Sequence, residues 1–255
     1  MENALLVGLS RQMALSHELD VIANNIANID TTGYKADNAE FSEFLTTRAR
    51  DEQFTGSDRR VSFVQDRATW IDFSQGAVEH TGGSLDVAID GNAYLVVQTP
   101  RGLRYTRNGA LAINATGQLV TNEGYQVMGD GGPITLQATD NSVSISGSGI
   151  VTVREGTSTQ DSQRGRLQLA SFDQPQLLQK DGSSTFMAPA GVNAGPPPAG
   201  TRVVQGAVEK SNVRAVVEMA RMIQITRSYT DIAAILQQQS DQRRTALQQL
   251  SQTPS

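Results

Sequence analysis

From Met222 to Leu250 one stripe of side chains recurs at alternating spacings of three and four: Met222, Ile225, Tyr229, Ile232, Leu236, Gln239, Arg243, Ala246 and Leu250. That is the period of an α-helix laid along another helix. Glu218, Met219 and Ile223 widen the stripe, and Ser211-Asn212 mark the entry, so the pattern predicts one helix from about Val213 to Leu250. At 1.5 Å per residue such a helix is a rod over about 50 Å long, too long to be covered by a β-domain of the size this chain can encode. It requires a second helix beside it.

The other long amphipathic segment is at the opposite end of the chain. Leu6, Leu9, Met13, Leu15, Leu19, Ile22, Ile26 and Ile29 space a helix over residues 3 to about 28, with Asn3 as its N-cap. Residues 1–50 carry four Lys/Arg and seven Asp/Glu, a balance of −3, whereas 203–255 carry six and four, a balance of +2. Opposite signs favour, modestly, antiparallel pairing of the two ends.

Between the ends the period changes to two. Short β-rich runs at Leu85–Ile89, Ala93–Gln98, Leu103–Thr106, Ala110–Ile113, Gln118–Thr121, Tyr125–Met128, Ile134–Leu136, Val143–Ile145, Ile150–Val153 and Leu167–Phe172 are separated by Gly-containing turns. Asn108-Gly109 reads as a hairpin turn, and Asp90-Gly91, Thr116-Gly117 and Glu123-Gly124 as three more. The expected fold class is α+β: a mainly-β central domain flanked by N- and C-terminal helices that pair as a coiled coil. Its segments are residues 1–35, the N-terminal helix with an Asn-rich motif; 36–69, an extended connector with some strand, anchored by Phe41, Phe44, Phe54 and Phe63; and 70–190, the β-rich domain. A Gly/Pro linker over 191–204, whose Pro196-Pro197-Pro198 holds an extended path, leads to the C-terminal helix over 205–255.

Chemistry-bearing motifs are scarce. The chain has no cysteine, which excludes disulfides, thiolate metal sites and a cysteine nucleophile. It contains no phosphate-binding Gly-x-x-x-x-Gly-Lys-[Ser/Thr], no Gly-x-Ser-x-Gly, no His-Glu-x-x-His and no calcium-loop pattern. Asp86 and Asp90 are four apart; on a strand that is about 13 Å, too far for a retaining glycosidase pair. His17 and His80 each lack a nucleophile or ligand partner nearby in sequence; His17 reads as a solvated or packing residue and His80 as a surface one. The net charge of −5 offers no electrostatic reason to bind nucleic acid or anionic lipid. No run approaches the roughly 20 apolar residues of a membrane span. The opening Met1-Glu2-Asn3-Ala4-Leu5-Leu6-Val7 lacks the basic start of a cleaved secretory signal, so export is expected to need a dedicated machine. No cofactor and no metal are expected.

Three asparagines in five positions, Asn24, Asn25 and Asn28, sit where the first helix ends, followed by Thr31-Thr32-Gly33-Tyr34-Lys35. Short amides compete with helix backbone, so their density here is unusual. Ala23 to Asn28 and Thr32-Gly33-Tyr34-Lys35 resemble the N-terminal signature of the flagellar axial proteins, the family of basal-body rod and hook subunits. Gln205-Gly206-Ala207-Val208-Glu209-Lys210-Ser211-Asn212-Val213 resembles that family's entry to its C-terminal helix, and Glu218-Met219, Met222-Ile223, Arg227 and Tyr229 fall on its continuation. Phe73-Ser74-Gln75-Gly76, Thr81-Gly82, Leu85 to Gly91 and Tyr105 to Gly109 are similar to its β-domain. The opening and the length near 250 are closer to proximal than to distal rod members. Two features depart from the pattern: the Pro-rich approach to the C-terminal block, and a polar helix seam after Gln239.

The resemblance implies a non-enzymatic structural subunit of the basal-body rod, polymerising through its terminal helices into a hollow helical rod that spans the periplasm. It implies other rod subunits and the flagellar type III export apparatus as partners, with no nucleic acid and no membrane insertion. The implied assembly contacts are Asn24, Asn25, Ile26, Asn28, Thr32 and Gly33 in the first motif. In the second block they are Gln205, Gly206, Ser211, Asn212, Met219, Met222, Ile223 and Tyr229. Gly33 is expected to occupy a turn closed to β-branched residues. Two alternatives stay open: a distal rod or hook subunit of the same family, and a secreted polysaccharide-binding β-domain on a dimerising stalk.

Overall fold

In the computed structural model, residues 2–46, 61–156, 160–182 and 184–251 are described. The expected anchoring by Phe41, Phe44, Phe54 and Phe63, and the seam positions Arg243, Ala246 and Leu250, lie outside the described side chains. The chain divides into two compact units, residues 1–27, 37–71 and 214–255 in one and residues 28–36 and 72–213 in the other. N- and C-terminal helices thus flank a mainly-β central region, as the patterning predicts.

The first unit is built on α1 (Glu2–Ala27) and α2 (Ala215–Ser251). Asn3, read as an N-cap, lies inside α1. Glu18 pairs with Arg221 at 2.7 Å, and a Cβ on Gly8 would sit 2.6 Å from Cδ2 of Leu236, so residues earlier in α1 meet residues later in α2. The helices run antiparallel. Ala14, Ile22 and Ile225 are buried, and Met222, Tyr229, Ile232 and Leu236 are half-buried, so the stripe read from the sequence is the covered face of α2. Within 36–69, expected as an extended connector with some strand, β1 (Asp37–Thr46) and β2 (Val61–Ile71) form an antiparallel pair running from Asp37 opposite Ile71 to Thr46 opposite Val61, with a bulge at Glu40/Phe41. Pairing satisfies the backbone groups of two ten- and eleven-residue segments that an isolated connector would leave to water. His17 Nε2 lies 3.3 Å from the Thr69 hydroxyl of β2.

The second unit is a β-domain. Its strands in chain order are β3 (Val78–His80), β4 (Val87–Asp90), β5 (Tyr94–Thr99), β6 (Gly102–Thr106), β7 (Leu111–Ile113), β8 (Leu119–Thr121), β9 (Gln126–Gly129) and β10 (Gly132–Pro133). They continue with β11 (Asp140–Ile145), β12 (Ile150–Glu155), β13 (Asp161–Arg166), β14 (Leu169–Ala170), β15 (Gln179–Lys180), β16 (Thr185–Met187), β17 (Arg202–Gln205) and β18 (Ala207–Glu209). The main sheet has the order β15-β16-β6-β5-β9-β8-β7, with β10 on β9 and β14 on β5. A three-stranded sheet has the order β11-β12-β13, while β17 pairs with β4 and β18 with β3.

β5 is buried on both faces, which is why Tyr94-Leu95-Val96-Val97 is a continuous apolar run rather than an alternating one. Leu95 and Val97 join Val87, Ile89, Val127, Val151, Val153, Leu167 and Val203 in one core. Tyr94 points to the other side, where its ring packs edge-on against Phe73, Phe172 and Phe186.

Three local expectations are corrected. Asn108-Gly109 is not a hairpin turn: β6 pairs with β5 and β7 with β8. The carbonyl of Gly109 accepts from the N–H of Val87, and a Cβ at Gly109 would lie 1.7 Å from the Val87 oxygen. Glycine is required there by close approach of two backbones, a long-range event no dipeptide rule contains. The 191–204 stretch is not a free spacer either. Gly195 exchanges two backbone hydrogen bonds with Ser171, the Ser171 hydroxyl donates to the Pro196 carbonyl at 2.6 Å, and Arg202–Gln205 is the strand β17. Prolines retain their carbonyls, so an extended proline segment still accepts hydrogen bonds along a domain surface. Ile134–Leu136 is not a strand: it joins its neighbours through an isolated bridge, Thr135 to Gln118, and single backbone hydrogen bonds to Gly117, Leu119 and Val127.

Candidate assembly site

The first signature block runs from the end of α1 in the first unit into the second unit, and the second block lies in the second unit up to Val213. In the first unit Asn25 is 1% exposed at the end of α1. Its amide nitrogen donates to the Asp37 carbonyl at 2.8 Å, and its oxygen accepts the Asp37 N–H at 2.9 Å. One side chain therefore mimics a strand partner for the first residue of β1. Asn24 is exposed and Ile26 half-buried. On α2, Met222 and Tyr229 are half-buried, whereas Met219 and Ile223 are 51% and 55% exposed.

In the second unit Asn28 accepts from the hydroxyl of Thr31 at 3.2 Å, and Thr32 is half-buried. Gly33 has φ +70°, and its N–H donates to the carbonyl of Glu209 at 2.7 Å. A Cβ there would lie 2.4 Å from the backbone of Arg107 and Asn108, so both conformation and space demand glycine. Asn212 is a threefold tie: its oxygen accepts the Ala36 N–H at 2.8 Å, and its nitrogen donates to the carbonyls of Asp72 and Ser74 at 2.8 and 3.2 Å. Ser211 accepts the Val213 N–H at 3.3 Å. Gln205 spans three segments, donating to Ser84 and Val143 carbonyls and accepting the Ile145 N–H. The Val143 and Ile145 contacts fall where the β11–β12 register breaks and Ser142 takes φ +47°. Gly206 receives the N–H groups of Thr81 and Gly82 on its carbonyl and donates to Asp86.

The residues that sequence reasoning left out of the site are Lys35, Arg107 and Glu209. Lys35 and Glu209 have fully buried side chains 2.5 Å apart, and Arg107 reaches the second oxygen of Glu209 at 3.3 Å. The Lys35 ammonium also donates to the Ser74 carbonyl, Arg107 to those of Ile89 and Gly91, and the Gly76 N–H to Glu209. Arg107 lies 5.0 Å over the Tyr94 ring, and Lys180 lies 4.0 Å over that of Tyr34 while donating to the Lys35 carbonyl. Burial pulls the Lys35 ammonium below its ordinary pKa, against the opposing pull of Glu209. Burial likewise raises the Tyr94 hydroxyl to about 12. The signal available in the sequence was a charge inside each quoted motif: Lys35 after Thr31-Thr32-Gly33-Tyr34, Arg107 within Tyr105 to Gly109, and Glu209 after Ala207-Val208.

Three family models match the chain: the flagella basal body rod protein over residues 5–35, the flagellar hook protein FlgE/F/G D1 domain over 88–153, and the flagellar basal body rod FlgEFG protein C-terminal region over 204–249. A flagellar basal-body rod protein FlgF of Caulobacter vibrioides is 37% identical over 253 residues, 98% of each chain. A FlgF of Mesorhizobium japonicum is 33% identical, with 93% of each chain covered, and a FlgG of Buchnera aphidicola is 35% identical over 83% of this chain and 85% of that protein. On its terminal signatures, its β-domain and this end-to-end similarity, the chain belongs to the flagellar basal-body rod protein family.

Proposed function

We propose that the protein is a structural, non-enzymatic subunit of the proximal part of the flagellar rod, polymerising through α1 and α2, paired as a coiled coil, into a hollow helical rod. The observation that carries this reading is α2: a 37-residue helix that covers one stripe against α1 and still presents Val216, Met219 and Ile223 to solvent. A surface of that kind on an elongated helix pair suits burial between neighbours rather than a monomer's exterior. The proximal assignment is favoured by FlgF relatives that match across 92–98% of this chain. The partners are then other rod subunits, the site is the periplasm-spanning basal body, and the route outward is the flagellar type III export apparatus.

Of the expected contact residues, Asn24, Met219 and Ile223 are assigned to neighbour contact by their exposure, together with the partly covered Ile26, Met222 and Tyr229. Asn25, Asn28, Thr32, Gly33, Gln205, Gly206, Ser211 and Asn212 serve assembly by setting the local backbone from which the helices start. The distal-rod reading has its own support, since FlgG proteins of Borreliella burgdorferi and Agrobacterium fabrum are 33% and 34% identical over about nine-tenths of this chain. Complementation decides between them. The gene is expected to restore motility to a host lacking its proximal rod subunit and not to one lacking the distal subunit; the reverse pattern refutes the proximal assignment, and rescue of neither refutes the rod role.

A further inference from the structure

The outer faces of α1 and α2 carry a pattern the covered faces do not explain. On α1 the positions Leu9, Met13, Ser16, Asp20 and Ala23 are all exposed and fall on one continuous stripe, with Leu9 50% and Met13 66% exposed. On α2, Val216, Met219 and Ile223 repeat at i, i+3 and i+7, at 81%, 51% and 55% exposure.

We propose that the Leu9–Met13 face of one copy seats against the Val216–Met219–Ile223 face of a second copy, antiparallel, with Met13 opposite Met219. This inference rests on the rod-subunit reading. In that register the spacings coincide: Leu9 falls opposite Ile223, four residues away on both helices, and Ser16 opposite Val216, three residues away on both. Charge agrees with it, because Asp20, one turn past Ser16, approaches Arg214, just before Val216, and both are exposed. Direction agrees as well. A rotation about an axis along the helices preserves their sense, so the antiparallel relation of α1 and α2 within one copy carries over to α1 of one copy and α2 of the next. Two different patches meet in this contact, so it is heterologous and extends into a filament when the rotation between copies does not close a ring.

The chain has no cysteine, which makes disulfide trapping clean. A host lacking its own subunit is complemented with Met13→Cys, Met219→Cys or the double variant, basal bodies are isolated and oxidised, and products are resolved without reductant. The double variant is expected to give reductant-sensitive dimers and higher multimers, several-fold above either single variant. A double variant present in basal bodies at the parent's level but monomeric overturns the proposed contact and leaves the rod reading standing. A parent chain absent from basal bodies overturns both.

Discussion

Replacing Glu209 with glutamine keeps the side chain's shape and removes the charge that Lys35 and Arg107 share. Glu209 is fully buried, at 2.5 Å from the Lys35 ammonium and 3.3 Å from Arg107, and accepts the Gly76 N–H as well. Removing one member of a buried ionic group leaves its partners charged and uncompensated, which costs roughly 3–5 kcal/mol. With a urea dependence of about 2 kcal/mol per molar, the unfolding midpoint should fall by about 2 M. Lys35→Met should cost less than half as much, because Glu209 keeps Arg107 and one buried charge disappears with its burial penalty. The two units can be followed separately: four of the five tyrosines (Tyr34, Tyr94, Tyr105 and Tyr125) lie in the β-unit, and the single tryptophan, Trp70, in β2 of the helical unit. The near-ultraviolet tyrosine signal should shift to lower urea while Trp70 fluorescence keeps its midpoint. A loss below about 1 kcal/mol, or a larger effect from Lys35→Met, would refute the shared-carboxylate account. pH supplies an independent arm. Burial lowers the Lys35 pKa in the folded chain, so between that value and 10.5 the unfolded chain holds more protons and stability rises with pH. Lys35→Met should remove that rise.

Three further perturbations separate the units and the roles. Asn25→Leu removes the side-chain partner of the Asp37 N–H and carbonyl, at about 2–4 kcal/mol; hydrogen exchange should quicken in α1, β1 and β2 with β3–β18 unchanged, and equal loosening of the β-unit would refute the local role. Gly33→Ala meets both a φ of +70° and backbone atoms 2.4 Å from its Cβ, and should destabilise the β-unit by about 3 kcal/mol in urea titrations; a neutral result would mean the turn relaxes freely. Tyr94 is held neutral up to about pH 12, so its contribution is complete below pH 10 and lost between 10 and about 12. Tyr94→Phe should flatten that alkaline decline in thermal melts, and an unchanged slope would assign it elsewhere.

The helices and most strands were legible because their signals are periodic and local. The stripe from Met222 to Leu236 needs nothing beyond 3.6 residues per turn, and the runs at Ala93–Gln98 and Tyr125–Met128 became β5 and β9 within a residue or two. The site was legible as motifs but not as a mechanism. Asn25 and Asn212 were visible as unusual residues, yet that each replaces a missing backbone partner appears only when Asp37, Ala36 and Asp72 are brought beside them. Strands such as β3, β13 and β16 were missed, being short or polar runs whose partners in the sheet, rather than their own composition, make them strands.

By itself the sequence determined that helices stand at both ends, that the middle is β, and that the α2 stripe needs a helical partner. Each of these depends on side-chain spacing within a few residues. The tertiary structure alone decided that Lys35, Arg107 and Glu209 share one buried site, that Gly109 is glycine for the sake of the Val87 carbonyl, and that the proline stretch lies along the β-domain. Those facts join residues tens to well over a hundred positions apart, and which distant groups meet is set by packing and desolvation of the whole unit, not by any local pattern.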